Sequence, residues 1–347
     1  MNVADPAPIA RHGGAAVLNK PYLLFVGDVD DALTAKTAFG LRDWIGRDIT
    51  GQWRLTANAI DLGLAELDPV AARAAGARSI VIGAAPAGGQ LPAHWLAALC
   101  AAATAGLDVI SGLHSRLSDH PALARAAAAA GVRLHDIRDP APDIPIGTGI
   151  RRTGKRLITV GADCAIGKKY TALGIAREMR RRGWNCDFRA TGQTGILIAG
   201  GGVPIDAVVA DFLSGAAEQL SPAAEPDHWD VIEGQGSLFH PVYAGVALGL
   251  LHGSQPDALV LCYDPDRSEI DGCPGYPIPT IDQAIARNVE AARLTNPDAR
   301  CVGIALNTAR HDEDTARKML DETSASFGLP CIDPLRWGAG PLVDLLG

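Results

Sequence analysis

The sequence predicts two α/β domains in tandem, each built on a parallel sheet. Three observations point there. Short, continuous apolar runs recur along the 347 residues, most of them closing on glycine or a polar residue. Helical stretches, alanine-rich in the first half and amphipathic in the second, lie between many of them. A segment rich in proline, glycine and charge, DPAPDIP (139–145) followed by GTGIRRTGKR (147–156), interrupts the alternation. Domain boundaries of 1–146 and 147–347 are therefore expected.

In the first half the expected strands are YLLFVGD (22–28), SIVIGAA (79–85), LDVISGL (107–113) and VRLHDI (132–137). Apolar throughout, they suit a sheet covered on both faces. The helices PAHWLAALCAAATAG (92–106) and HPALARAAAAAGV (120–132) lie between the later ones. This half reads as a Rossmann-like domain. It has no G-x-G-x-x-G, so no dinucleotide is inferred from it. In the second half, strands are expected at 157–160, 185–190, 229–233, 258–263, 301–307 and 330–332, with helices at 171–183 and 280–296.

The second domain opens on RLITVGADCAIGKKYTAL (156–173), close to the phosphate-binding P-loop G-x-x-x-x-G-K-[ST]. A glycine turn between a buried strand and a helix presents backbone N–H groups to an anion. The expected phosphate-binding residues are Gly161, Asp163, Cys164, Ala165, Ile166, Gly167, Lys168, Lys169, Tyr170 and Thr171. Two departures matter. Ala162 stands at the first glycine of the pattern, and Lys169 stands where a Ser or Thr would hold magnesium. An ammonium only donates, so Lys169 cannot ligate a metal but can neutralise phosphate. The loop is thus better suited to gripping a phosphorylated carrier such as coenzyme A than to cleaving a nucleotide, and no metal is expected to be required. Thr171 keeps a metal in a shifted register open.

Composition sets limits. A net charge of −8 argues against a general nucleic-acid binder, although residues 151–182 hold ten Lys/Arg against Asp163 and Glu178. The apolar stretches are broken by Asp206, Asp211 or Asp257, short of a membrane span, and the N-terminus lacks an export signal. Seven cysteines, without a C-x-x-C pair, suit reduced buried thiols in the cytoplasm. High apolar content with few aromatics suits a homo-oligomer.

Further polar turns fall at the expected strand ends, where ligands of parallel sheets collect. RATGQTG (189–195) brings Arg189, Thr191, Gln193 and Thr194. VIEGQGSLFHP (231–241) brings Glu233, Gln235, Ser237 and His240, and YDPDR (263–267) brings Arg267. Each turn alone is as well explained as a glycine corner; their joint placement beside the loop favours a site. AGGGVPIDAVVADF (199–212) is either a substrate loop or a connector and subunit contact.

The stretches VGADCAIGKKYTAL, RATGQTGILIAGGGVPIDAVVADF, EGQGSLFHP and GIALNT resemble, across essentially the whole chain, a family long described as of unknown function. It has a Rossmann-like N-terminal domain and a P-loop-type C-terminal domain. Its assigned members are D-glutamate N-acetyltransferases of D-amino-acid catabolism. The resemblance implies acetyl-CoA as co-substrate and the α-amine of a D-amino acid, D-glutamate first, as acceptor. The second half is also similar in plan to dethiobiotin synthetase, which binds ATP and magnesium, so a Mg-ATP-dependent kinase or carboxylate–amine ligase is the alternative. A non-catalytic nucleotide or coenzyme sensor is a third reading.

Acetyl transfer to an amine needs a base, because only the free amine attacks, and donors for the thioester oxyanion. Glu233, closing a buried strand, is the first expected base and His240 the second. Gln193 or backbone N–H groups of GQGS are the expected oxyanion donors. Arg189 and Arg267 are expected to meet a dicarboxylate, with Thr194 and Ser237 also on the substrate. Cys164, at a helix N-terminus among cations, is expected to have a lowered thiol pKa, which leaves an acyl-enzyme open.

Overall fold

The computed structural model describes residues 18–347. They form two compact units, residues 18–140 with 196–204 and residues 141–195 with 205–347. The N-terminal stretch read above for an export signal lies outside the described residues.

The first unit carries strands β1 (Tyr22–Gly27), β2 (Ile49–Arg54), β3 (Ser79–Ile82), β4 (Asp108–Ser111) and β5 (Leu134–Asp136). All pair in parallel, in the order β2-β1-β3-β4-β5. β1, β3 and β4 are buried along their whole length, as their unbroken apolar runs require. Strand β2 was not expected. Its sequence, ITGQWR, is partly exposed at the sheet edge and has no apolar run to betray it. The core gathers Leu23, Phe25, Ile80, Leu99 and Val109 around Trp95, whose ring meets Phe25 edge-on at 5.2 Å. The Trp95 indole N–H donates to Asp28 at 2.8 Å, which gives the buried ring its polar partner.

The second unit carries β6 (Lys155–Gly161), β7 (Cys186–Arg189), β8 (Trp229–Ile232), β9 (Ala258–Tyr263), β10 (Arg300–Leu306) and β11 (Cys331–Ile332). These strands too are all parallel, in the order β11-β10-β9-β6-β8-β7. The two α/β sheets agree with the expected fold class. Chain direction across the second sheet reverses at β6, which lies between β8 and β9. In such sheets the crevice at the carboxyl ends of the strands, at the reversal, is where ligands bind. The glycine loop leaves β6 at that place and enters the helix Lys168–Arg181. That helix begins three residues before the expected start and buries Ala172, Ile175, Ala176 and Met179. Its last turn carries Arg180 and Arg181, and Glu178 binds both Arg181 and Arg182 at 2.7 Å. All seven cysteines are unpaired. No helix among the described residues is long and apolar enough to cross a membrane.

Candidate active site

Strand β6 is buried from Arg156 to Gly161, so the loop at its end starts from a rigid base. Thr159, a polar residue within the apolar run, ties the loop to β8's turn. Its hydroxyl donates to the Lys168 carbonyl at 3.1 Å and accepts the Gly234 N–H at 3.0 Å. Only glycine fits at position 234, since a Cβ there would run into the Thr159 carbonyl. Ser237 braces the loop from the same turn, its hydroxyl within 2.8 Å and 2.9 Å of the Gly161 and Ala162 carbonyls.

Asp163 is fully buried inside the loop. Its carboxylate accepts from the Cys164 N–H (2.6 Å), the Asp271 N–H (2.9 Å) and the Arg267 guanidinium, which also donates to the Cys164 carbonyl at 2.9 Å. The Lys168 ammonium, itself buried, donates to the Asp163 carbonyl at 2.6 Å. Burial pushes the Lys168 pKa down, because the charged form has lost water. Ala165, exposed at the loop tip, takes φ +53, a conformation rare for a side-chain-bearing residue. Lys169 follows, half-buried, its ammonium 4.3 Å from the centroid of the Tyr170 ring.

Glu233 comes off the end of β8 and is 3% exposed. One carboxylate oxygen accepts the N–H groups of Thr191 (3.0 Å) and Gly192 (3.2 Å), and the Thr191 hydroxyl donates to the Glu233 carbonyl at 2.6 Å. Gly195 lies so close that a Cβ there would collide with the same carboxylate. Burial raises the Glu233 pKa, with the Thr191 and Gly192 N–H groups and the Lys169 charge acting in the opposite sense. Gln193, half-buried, opens the helix Gln193–Ala199 next to these amides, and Thr194 behind it is buried.

Several expected roles change. Arg189 is not offered at the sheet edge. Its buried guanidinium donates to Asp230 at 2.6 Å and lies 3.2 Å from Asp187, two residues back along the paired strands. A buried cation requires such partners, so it cannot serve a substrate carboxylate. Arg267 is likewise committed, to Asp163, and clamps the loop. The Ser237 hydroxyl is engaged with the loop carbonyls. Thr171 is 2% exposed, and its hydroxyl faces the Cys262 sulfur at 3.4 Å, which removes the shifted-register metal site. The Cys164 thiol moves opposite to expectation: burial raises its pKa and outweighs the pull of Lys168 and Arg267. His240, 3% exposed, accepts the Val242 N–H on Nδ1 at 3.1 Å. The neutral ring therefore carries its proton on Nε2, which makes His240 a donor and not the base expected of it.

Thr191 was placed at this strand end but given no role, and Thr159, Gly192 and Asp271 were missed. The only signal in the sequence was Thr159's polarity inside a buried strand; the amides of the others give none. Asp163, Cys164 and a ring nitrogen of His240 gather within 4.8 Å of one another, ligand types that suit a metal. The carboxylate is already engaged by Arg267 and two N–H groups, and Lys168 hydrogen-bonds to the same residue's carbonyl. Two fixed cations beside that set favour an anion, not a metal.

Comparison with known proteins agrees with the two-domain fold. Residues 145–343 match the P-loop domain of the family DUF1611, described as a domain of unknown function, and residues 47–140 match its Rossmann-like N-terminal domain. The chain belongs to this family. A crystal structure of a DUF1611 family protein from Anabaena variabilis superposes with a TM-score of 0.85 at 32% identity, covering 94% of this chain and 99% of that one. A protein from Tritonibacter scottomollicae named D-glutamate N-acetyltransferase is 48% identical over 330 residues, 95% of this chain and 99% of its own. A Pseudoalteromonas protein of the same name is 45% identical over 326 residues, 94% of this chain and 98% of its own.

Proposed function

We propose that this protein is an N-acetyltransferase that moves the acetyl group of acetyl-CoA to the α-amine of D-glutamate. The near full-length likeness to two proteins of that name carries the reading. The site is compatible with it. A phosphate loop with lysines at positions 168 and 169 suits the diphosphate of a carrier that is held and not cleaved.

In this reading Glu233 takes the proton from the acceptor ammonium, and burial raises its pKa, which strengthens the carboxylate as a proton acceptor. The freed amine attacks the thioester carbonyl, the C–N bond forms and the C–S bond breaks. The CoA sulfur leaves as a thiolate and takes the proton that Glu233 accepted, while the attacking nitrogen loses its second proton to solvent. Nε2–H of His240 and the Gln193 amide are the proposed donors to the oxyanion. The seven unpaired thiols suit the cytoplasm. Exposed Val242, Tyr243 and Leu248 give a homo-oligomer apolar surface to bury, which light scattering checks.

The deciding experiment incubates the purified protein with acetyl-CoA, with and without D-glutamate, and follows CoA and N-acetyl-D-glutamate by mass spectrometry. Both products together, only with acceptor present, support the proposal. Cleavage of MgATP with no acetyl transfer would overturn it in favour of a ligase or kinase.

A further inference from the structure

P-loops ordinarily hold Mg²⁺ through the hydroxyl after the Gly-Lys pair, with an acidic group at a neighbouring strand end. The residues here do not fit that ion. Position 169 is a lysine, with no lone pair to give. The nearest aliphatic hydroxyl in sequence, on Thr171, is buried against Cys262. Glu233, at the strand end, already has one oxygen bound by two backbone N–H groups.

We infer that Lys169 is a tethered replacement for the divalent cation, which makes phosphate binding at this loop independent of magnesium. The ammonium is the second residue of the helix that ends the loop, beside Lys168, and its charge falls on the buried Glu233 carboxylate that a metal would otherwise balance. Each phosphate of a diphosphate diester carries a single negative charge, and Lys168 and Lys169 match them one for one. The tail of a nucleoside triphosphate brings more negative charge, together with its own Mg²⁺, and that ion would stand against Lys169. Lys169 is then a specificity-determining residue: it selects metal-free diphosphate carriers over magnesium nucleotides. Only the identity of the carrier rests on the acetyl-CoA reading above.

The test is calorimetric titration of the full chain with CoA and, separately, with inorganic pyrophosphate, in EDTA and in excess magnesium chloride. The wild-type affinity for CoA is expected to be equal in the two buffers, within about twofold, whereas pyrophosphate, which chelates magnesium itself, is expected to bind in EDTA and more weakly in excess magnesium. Lys169→Thr is expected to bind about tenfold more weakly in EDTA, the loss of one charge-assisted contact, and to recover affinity when magnesium is added. Lys169→Arg is expected to keep metal-independent binding. A wild-type protein that needs magnesium, or a threonine variant that binds as tightly as wild type in EDTA, overturns the inference. Pyrophosphate bound without metal while CoA is not would support the role of Lys169 and remove the acetyl-CoA reading.

Discussion

Replacing Arg267 by Met leaves the Asp163 carboxylate buried with two backbone N–H groups and without the only cation bound to it directly, the Lys168 ammonium staying on the Asp163 carbonyl. Removing one partner of a buried ion pair costs about 3–5 kcal/mol, because the remaining charge stays desolvated. Arg267 retains 17% exposure, so water can reach the vacated space and the lower end, about 3 kcal/mol, applies. For a unit of this size each kcal/mol moves the melting temperature by roughly 2–4 °C, giving a drop of about 6–12 °C. The assay is thermal unfolding of wild type, Arg267→Met, Asp163→Asn and the double variant. Most of the loss is expected to return in the double variant, since a neutral amide no longer needs the guanidinium. A drop under about 2 °C, or single-variant shifts that simply add, would refute the assignment of Arg267 as the counter-charge of the loop.

Glu233→Gln should lower kcat by about 10²–10⁴-fold if the carboxylate is the base. Its folded pKa is raised, so its stabilising contribution is full below the unfolded value and declines as pH rises through the folded pKa; the variant should flatten that decline in pH-dependent melting. Gly195→Ala places a methyl against the same carboxylate, and a destabilisation of about 1–3 kcal/mol with loss of turnover is expected by denaturant titration and the CoA assay. The raised Cys164 pKa predicts that iodoacetamide labels this residue slowly at neutral pH and faster only in alkaline solution, as read from its peptide by mass spectrometry. Cys164→Ser should keep most of the activity; its loss would revive an acyl-enzyme.

Strands buried on both faces announced themselves in the sequence, as at Tyr22–Gly27 and Ala258–Tyr263, because nothing but apolar side chains survives there. Edge strand β2 did not, since Gly51 and Gln52 break its run and the Gln52 side chain bonds to Asp61 and to the Leu62 N–H. The helix Ala244–Ser254 was also missed: AGVALGLLHGS is apolar nearly all round and shows no helical period. In the site, what is contiguous was legible: the loop from Gly161 to Lys169 is one stretch of chain. What depends on side-chain direction was not. Nothing in YDPDR says that Arg267 crosses 104 residues to reach Asp163, or in RATGQTG that Arg189 turns back towards Asp230. Both arginines look free in one dimension and are committed in three.

The strand order has a consequence for biosynthesis. β6 has the loop at its end but lies between β8 and β9, pairing Leu157 with Val231 on one side and with Ala258 on the other. The loop is then secured by Arg267 and Asp271. A nascent chain that stops short of Trp229 carries every residue of the loop and lacks β8, β9, Ser237, Arg267 and Asp271, the neighbours that shape it. The first sheet needs nothing beyond Asp136 for its strand pairings and can form while the ribosome is still at work. Ligand competence thus arrives late and nearly all at once, set by the slow closure of long-range parallel pairings. Shortened or stalled products would hold a folded first sheet and no grip on phosphate.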